Sequence, residues 1–446
     1  MLARPALSPD TGKGPSTNNG EEGRSISRST FFSTIGNSPA MVKGLLIVVM
    51  LALVLIPLLM IPGHGFYNDD FRWIERARLA LSNPARIFIP WTQWFVRPVP
   101  QALFLVELLL FGTKPLGYNI LSILLHIGAG VLVWRLAFRV GLGRFGGAIC
   151  AIFFLAGIGH HMKPVAWACS QSVMIGTILA LAAALTLLRS PGSERVRSSA
   201  PFPILPLVLA SLAMLSHETV AAAPLAISLL IWCRRHPRRK SFTAASIVIV
   251  AACFLATFRP HSEFTAMKSY GLGTHVIFNM IRYLGSLTGP LHSAQITERV
   301  VGRLNIHNWL VTTAPSVVII AGAAAVLVLL FFPRERKRIE WGLVGAGFFF
   351  LLPPLFFTFK PGWVNARYLY PTPAFFLPVL GLTVIRLAGQ FRWRKIMLAL
   401  ILSIVFLGAI GGSVYQVRKA IRQGRSAEQS RYNDHEVPVH MVQETY

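Results

Sequence analysis

Acidic residues are scarce in this chain: 17 Asp and Glu stand against 43 Lys and Arg in 446 residues. Charge of either sign is low, at 13% of residues, while 54% are hydrophobic and the mean hydropathy is +0.56. That composition leaves too little polar surface to cover a soluble core, so a soluble globular fold is excluded and a polytopic membrane protein is expected. Cysteine is also sparse. Cys150, Cys169, Cys233 and Cys253 lie in or at the ends of apolar segments, and none is spaced Cys-x-x-Cys. Neither a cysteine zinc module nor a disulfide framework is thereby indicated, and structural thiols packed between helices are expected. The formal net charge of +26 would suit a nucleic-acid binder. Much of the Lys and Arg, however, sits in short loops between apolar runs, so the expected partners are membrane lipids and no nucleic acid.

What the chain does have is a long series of apolar runs. They predict an all-α polytopic transmembrane helical bundle of about eleven spans. The spans fall near 44–62, 118–134, 145–160, 166–188, 202–216, 218–233, 242–258, 312–332, 341–358, 368–388 and 395–412. Residues 1–43, rich in Ser, Gly, Pro, Thr and Asn, are expected to form a disordered cytoplasmic tail. The first apolar stretch lies far from the N-terminus and is read as an uncleaved helix. Residues 44–412 form the integral membrane domain, and 413–446 a polar C-terminal tail.

Basic clusters occur at Arg135/Arg139/Arg144, Arg189/Arg195/Arg197, Arg234/Arg235/Arg238/Arg239/Lys240, Arg334/Arg336/Lys337/Arg338 and Arg386/Arg392/Arg394/Lys395. With the N-terminus inside, all of them fall on the cytoplasmic side, while the C-terminal tail falls outside. A full crossing by the apolar residues 98–112 would invert every later cluster, so that stretch is expected to be an interfacial or re-entrant helix. The segment 71–96, with Trp73, Trp91 and Trp94 among arginines, suits the headgroup level. Two ordered outer loops follow, 63–117 and 259–311, the second with an interfacial helix near 275–287.

Scarcity makes each acid informative. Asp69 and Asp70, in Tyr67-Asn68-Asp69-Asp70-Phe71, stand just after the first span. The same outer face receives Arg97, then His160, His161 and Lys163, then His217 and Glu218, and then Lys360, Asn365, Arg367 and Tyr368. Singly, each has a plain reading. Asp69, Asp70 and Glu218 are helix caps, Arg367 an interface anchor, Lys163-Pro164 a helix break, and the histidines snorkelling side chains. Together they gather carboxylates, imidazoles and guanidinium groups on one membrane face, where unpaired polar groups are costly. The set suits transfer from a phosphate-linked donor. A carboxylate takes the proton of an acceptor hydroxyl, Arg and Lys neutralise the phosphate leaving group, and Trp91, Trp94, Trp363 and Tyr368 stack on a sugar or pack a polyprenyl chain. No metal-ligand spacing occurs and no cofactor is implied, though a divalent cation bridging an acid and the phosphate remains open.

Asn68-Asp69-Asp70-Phe71, Arg97-Pro98-Val99, Phe111-Gly112-Thr113-Lys114-Pro115-Leu116-Gly117-Tyr118-Asn119 and Leu124-Leu125-His126 follow the order of motifs in GT-C glycosyltransferases. The chain most resembles the polyprenyl- or dolichyl-phosphate-mannose protein mannosyltransferases, in the branch that includes the TPR-bearing transmembrane O-mannosyltransferases. Ser216-His217-Glu218-Thr219 resembles that branch's Ser-Lys-Glu-Thr turn, and Arg367-Tyr368-Leu369-Tyr370-Pro371 its Arg-Tyr-Leu-Tyr segment.

The resemblance implies a GT-C-like fold and an inverting glycosyltransferase acting on the outer face. Its partners would be a polyprenyl-phosphate sugar lipid and a protein, lipid or glycan acceptor. Asp69 or Asp70 would serve as catalytic base or acceptor-binding carboxylate, with Glu218 a supporting acid. Arg97 and Arg367 would lie near the lipid phosphate, and His161, His217, Tyr368 and Trp94 would contact substrate. A bacterial inner membrane is the expected location. The chain departs from the branch where His-Pro-x-His-x-Glu becomes Gly159-His160-His161-Met162-Lys163-Pro164. There His161 matches the second His and Lys163 replaces the acid, which would add a phosphate contact. The branch's Gly-Arg-Ala-Asp/Glu is replaced by Cys169-Ser170-Gln171-Ser172, and no TPR array follows residue 413, so the acceptor stays open. Two alternatives differ in class: a lipid transporter or flippase, which would place charges at the bilayer midplane, and a catalytically inactive membrane scaffold.

Overall fold

The structure, a computed structural model, describes residues 40–66, 69–89, 96–157, 162–188, 201–257, 272–287, 308–331, 336–356, 366–388 and 392–433. The expected disorder of the N-terminal tail falls on residues 1–39, outside the described residues, as does most of the loop 259–311.

Among the described residues every regular element is helical. The main helices are α1 (Ala40–Leu59), α2 (Asp70–Ser82), α3 (Pro98–Phe111), α4 (Pro115–Ala137), α5 (Gly143–Leu155), α6 (Gln171–Leu187) and α7 (Ile204–Met214). They continue as α8 (Ala223–Cys233), α9 (Arg239–Thr257), α10 (His275–Ser286), α11 (Asn308–Phe331), α12 (Arg338–Leu355), α13 (Pro371–Ala388) and α14 (Arg392–Asn433). Five described stretches are long and apolar enough to cross a membrane: Gly44–Gly63, Pro115–Leu155, Ala168–Leu187, Pro371–Ala388 and Trp393–Arg422. Shorter apolar helices lie at Pro98–Phe111, Ile204–Met214, Glu218–Cys233 and Ile319–Phe331.

Pro115–Leu155 doubles back on itself. Gly141 at φ 107° and Gly143 at φ 71° take left-handed conformations that a side chain would strain. The returning α5 packs so closely on α4 that a Cβ on Gly147 would meet the Trp134 ring at 2.7 Å and one on Gly130 would meet Leu155 at 2.8 Å. Glycine therefore makes both the turn and the helix contact.

Two helices before α4 do not have the length of a crossing. α2 buries Trp73, Ile74, Ala77 and Ala80 on one face, and Asp70 in its first turn suits the positive helix end. α3 starts with Pro98 and Pro100, where the missing N–H groups cost nothing, and stops at Gly112 with φ 59°. Its 14 residues span about 21 Å, short of a hydrocarbon core of about 30 Å. Val106, Leu109 and Leu110 are exposed along it, while Phe104 and Glu107 are buried. The helix expected near 275–287 is present as α10, which packs on α11 and α12.

Cross-bonds fix which helix ends lie together. Asn119 donates to the His64 carbonyl at 2.6 Å, Asn279 to the Leu355 carbonyl at 3.0 Å and Ser413 to the Ala156 carbonyl at 2.8 Å. A separate aromatic cluster of Phe66, Trp73, Phe104, Tyr118 and Trp167 floors the end where α2 begins. At the opposite end, Arg386 grips Glu340 with two bonds of 2.6 Å, and Arg336 lies 3.6 Å from the same carboxylate. Arg336 also donates to the Leu329 carbonyl at 2.6 Å and to Thr383 at 2.7 Å, which joins α11, α12 and α13.

Two boundaries differ from expectation. The helix expected from 166 begins at Gln171, after a tight turn Ala168–Ser170, and that expected from 218 begins at Ala223 after a turn Glu218–Val220. α14 does not stop near 412 but runs to Asn433, with Val417 and Ala420 buried, so the polar tail starts as part of the bundle.

Candidate active site

The first residue of α2, Asp70, is almost fully buried, and its Oδ1 accepts the Cys169 N–H at 2.7 Å. This bond ties the start of α2 to the turn ahead of α6. Asp69, one residue earlier, keeps 33% of its side chain exposed and faces Arg367, whose Nη1 lies 3.8 Å from Oδ2. The adjacent acids are thus separated by burial: Asp70 is built into the protein and Asp69 opens onto the site.

Arg367 sits on the turn Ala366–Leu369 before α13. Its guanidinium lies 5.1 Å from the centres of both the Trp167 and Tyr368 rings, and Nη2 donates to the Tyr368 hydroxyl at 3.2 Å. Aromatic faces attract the cation and fix its plane. At 3.8 Å the Asp69 contact is too long for a hydrogen bond, so Asp69 is a loosely held partner.

Arg97 precedes Pro98 at the start of α3, and its Nη2 lies 2.5 Å from Glu218 Oε2, with side-chain exposures of 12% and 6%. The approach is not aligned as a hydrogen bond: Glu218 Oε2 and Arg97 Nε both lack hydrogen-bond partners among the described residues. The contact is an ion pair with donor and acceptor capacity to spare. Burial would push the Glu218 carboxyl up, but the neighbouring Arg97, then His217 and Arg367, outweigh it and hold the group at about 2.

His217 lies 3.5 Å from Glu218, yet it is no counter-ion at neutral pH. Burial lowers its imidazole to about 3, against the pull of Glu218. Its Nδ1 accepts the Thr219 backbone N–H at 3.2 Å and lies 2.9 Å from the Thr219 hydroxyl. An accepting Nδ1 carries no proton, so the neutral ring keeps its proton on Nε2. His217 and Tyr368 lie ring to ring at 6.0 Å. Gly176 in α6 lets this turn close: a Cβ there would meet Val220 at 2.5 Å and Ser216 at 3.1 Å.

Behind Asp70 lies a second polar group. The Gln171 amide lies 2.8 Å from Glu107 Oε1, 2.9 Å from the Tyr118 carbonyl and 3.1 Å from the Ser122 hydroxyl. Glu107 is fully buried and its Oε2 has no partner among the described residues. Burial pushes its carboxyl up to about 8, the Gln171 hydrogen bond opposes this, and Asp70 adds to the rise. Burial thus favours the protonated, neutral form of Glu107.

Asp69, Asp70, Arg97, His217, Glu218, Arg367 and Tyr368 thus come together at one end of the bundle, carried by four separate stretches of chain. Trp94 and His161 lie outside the described residues, as do Trp91, His160, Lys360, Trp363 and Asn365. Lys163 falls in the turn Met162–Val165, but its side chain is likewise outside the described residues. No group of three or more His, Cys, Asp or Glu able to hold a metal ion occurs among the described residues. Sequence reasoning missed Trp167 under Arg367, the Cys169 N–H and the Gln171–Glu107 pair. For Glu107 a signal existed, a lone acid inside an apolar helix.

The arrangement gathers two guanidinium groups, each beside a carboxylate, whose charges both act on His217 and Glu218. Comparison with family models, curated proteins and solved structures yields no match.

Proposed function

We propose that this chain is an inverting membrane glycosyltransferase of the GT-C kind, moving a sugar from a polyprenyl-phosphate donor to an acceptor hydroxyl on the extracytoplasmic face. One observation carries this: Arg97 and Arg367, each already near a carboxylate, lie at one end of an apolar bundle, and the buried Arg97 Nε has no hydrogen-bond partner among the described residues. A buried guanidinium donor without a partner is rare and suits a missing anionic ligand. Apolar helices beside a dicationic end fit a substrate with a long hydrocarbon tail and a phosphate head.

In this scheme Arg367, held between Trp167 and Tyr368, and Arg97 bind the lipid phosphate. Asp69, the more exposed acid, takes the proton of the acceptor hydroxyl, and Asp70 positions it through the Cys169 backbone. The acceptor oxygen forms a bond to the anomeric carbon as the bond to the phosphate oxygen breaks. The lipid phosphate departs with its added charge balanced by the two arginines. Glu218 keeps Arg97 aimed, and neutral His217 donates from Nε2 to the sugar. Lys163 would add a phosphate contact, with His161 and Trp94 lining the sugar subsite.

In this reading the end with the basic connections faces the cytoplasm, as the positive-inside rule favours, and the chain crosses a bacterial inner membrane about eleven times from a cytoplasmic N-terminus. The Asp69→Asn/Asp70→Asn variant tests the scheme: it is expected to retain polyprenyl-phosphate binding and lose sugar transfer. Full transfer by that variant would overturn the catalytic assignment.

A further inference from the structure

Glu107 lies in the seam where α3 packs on α4 and α6. Its Oε1 accepts from the Gln171 amide at 2.8 Å, and the same nitrogen lies 2.9 Å from the Tyr118 carbonyl and 3.1 Å from the Ser122 hydroxyl. Oxygens gathered around that nitrogen fix which end of the amide faces them, since the reversed amide would set its own oxygen against a carboxyl and a carbonyl. Glu107, Gln171 and Ser122 are all fully buried.

Two atoms of this joined pair are left over. Glu107 Oε2 and Gln171 Oε1 are buried oxygens without a hydrogen-bond partner among the described residues. With Glu107 ionised, both are acceptors and both stay unsatisfied, at a cost. A proton on Oε2 turns it into a donor. The acid then donates to the Gln171 carbonyl oxygen while accepting from the Gln171 N–H, the two-bond pairing of a carboxylic acid with a primary amide.

The ionisable groups on the elements packed against Glu107 are few. α6 has none, and α3 has no other. α4 brings Tyr118, whose hydroxyl donates to the Gly112 carbonyl, and His126, bonded to Tyr370. On α2, Arg72, Glu75 and Arg78 are exposed and Arg76 reaches the Ile89 carbonyl, while Arg86 is exposed in the turn Pro84–Phe88. Asp70, held by the Cys169 N–H, acts on Glu107 and favours the neutral acid.

We infer that Glu107 is a carboxylic acid in the folded chain, and that its acid–amide pair with Gln171 is a clasp between α3 and α6 that opens at alkaline pH. Loss of the proton removes the donor from Oε2 and adds a second negative charge behind Asp70. α3 begins beside Arg97, and the turn before α6 holds Asp70, so the clasp sets the spacing between two sides of the candidate site. It concerns that frame and stands whether or not the proposed sugar transfer occurs.

Infrared spectra of the full chain in vesicles, with Glu107→Gln subtracted from wild type, provide the test. At pH 7 the difference should contain the carbonyl band of a protonated carboxylic acid, sensitive to deuterium exchange and fading as pH passes about 8. Gln171→Leu removes the amide donor and should move that band to higher frequency. An amide at position 107 can make both bonds, so Glu107→Gln should keep the wild-type unfolding temperature at pH 7, whereas Glu107→Ala should lower it. Absence of the band at pH 7 would overturn the inference, as would a band unmoved by Gln171→Leu. Equal loss of stability in Glu107→Gln and Glu107→Ala would overturn the pairing without use of any variant at Gln171.

Discussion

Replacing Arg97 by Gln leaves Glu218, a side chain only 6% exposed, without the guanidinium 2.5 Å from it. The expected loss is large because a buried charge keeps its desolvation cost when its partner goes, at about 3–5 kcal/mol for such a pair. Glu218 is held at about 2 against an ordinary 4.5, by Arg97 first and then by His217 and Arg367, against the opposing effect of burial, so removing Arg97 should let that value rise. Glu218→Gln removes the charge and leaves Arg97 unpaired, but Arg97 is more exposed, so its cost should be smaller. The double variant should be less destabilised than the two single losses added together, by about 3 kcal/mol of coupling.

Thermal unfolding in detergent, followed with a thiol-reactive dye, suits the measurement, because Cys150 and Cys169 are buried and react only on opening. The pH dependence supplies an internal control. A carboxyl whose folded value lies below its unfolded one stabilises above about 4.5, and that stabilisation is lost as pH falls toward about 2. The wild type should lose stability across that window, and Arg97→Gln, whose Glu218 is no longer held down, should lose less. Additive single losses, or an Arg97→Gln cost below about 1 kcal/mol, would refute the buried-pair account.

Glu107, pushed up to about 8, stays protonated in the fold while the unfolded chain ionises near 4.5. Stability should therefore fall as pH rises from about 4.5 to about 8. Glu107→Gln should flatten that slope in the same dye assay, and a wild-type slope retained by the variant would contradict it. Asp70→Asn keeps an oxygen that can accept the Cys169 N–H but removes its charge, and should cost about 1 kcal/mol, measurable as faster amide exchange at Cys169. Unchanged exchange would remove Asp70 from its positioning role. Gly176→Leu forces a side chain against Val220 and Ser216, and should cost about 1–3 kcal/mol or more. Wild-type stability there would mean that the Ser216–Val220 turn is not closely packed.

The helices were legible wherever apolar runs stand between basic clusters, because hydropathy reports burial directly. The ends of those runs also drew attention to Asp69, Arg97, Glu218 and Arg367, since charges at the ends of apolar helices are few. What stayed hidden depends on distant partners. Asp70 is bound by a backbone N–H 99 positions away, and a backbone donor has no sequence signature. Glu107 meets Gln171 across 64 positions, and neither residue type announces the other. The difference between Asp69 and Asp70 arises from burial alone. The continuation of α14 past 412 was missed because hydropathy was weighed and helix propensity was not: Gln, Arg, Lys and Ala in 416–429 are strong helix formers.

Purified protein in vesicles, given polyprenyl-phosphate sugars labelled in the sugar and a membrane extract as acceptor, tests glycosyl transfer most directly. Label should move to the extract with release of polyprenyl phosphate, and Asp69→Asn should reduce this by 100-fold or more, on the order expected for loss of a general base. Binding of the lipid without transfer of any labelled sugar, by a wild type that is folded, would contradict the enzyme and favour a lipid-handling role.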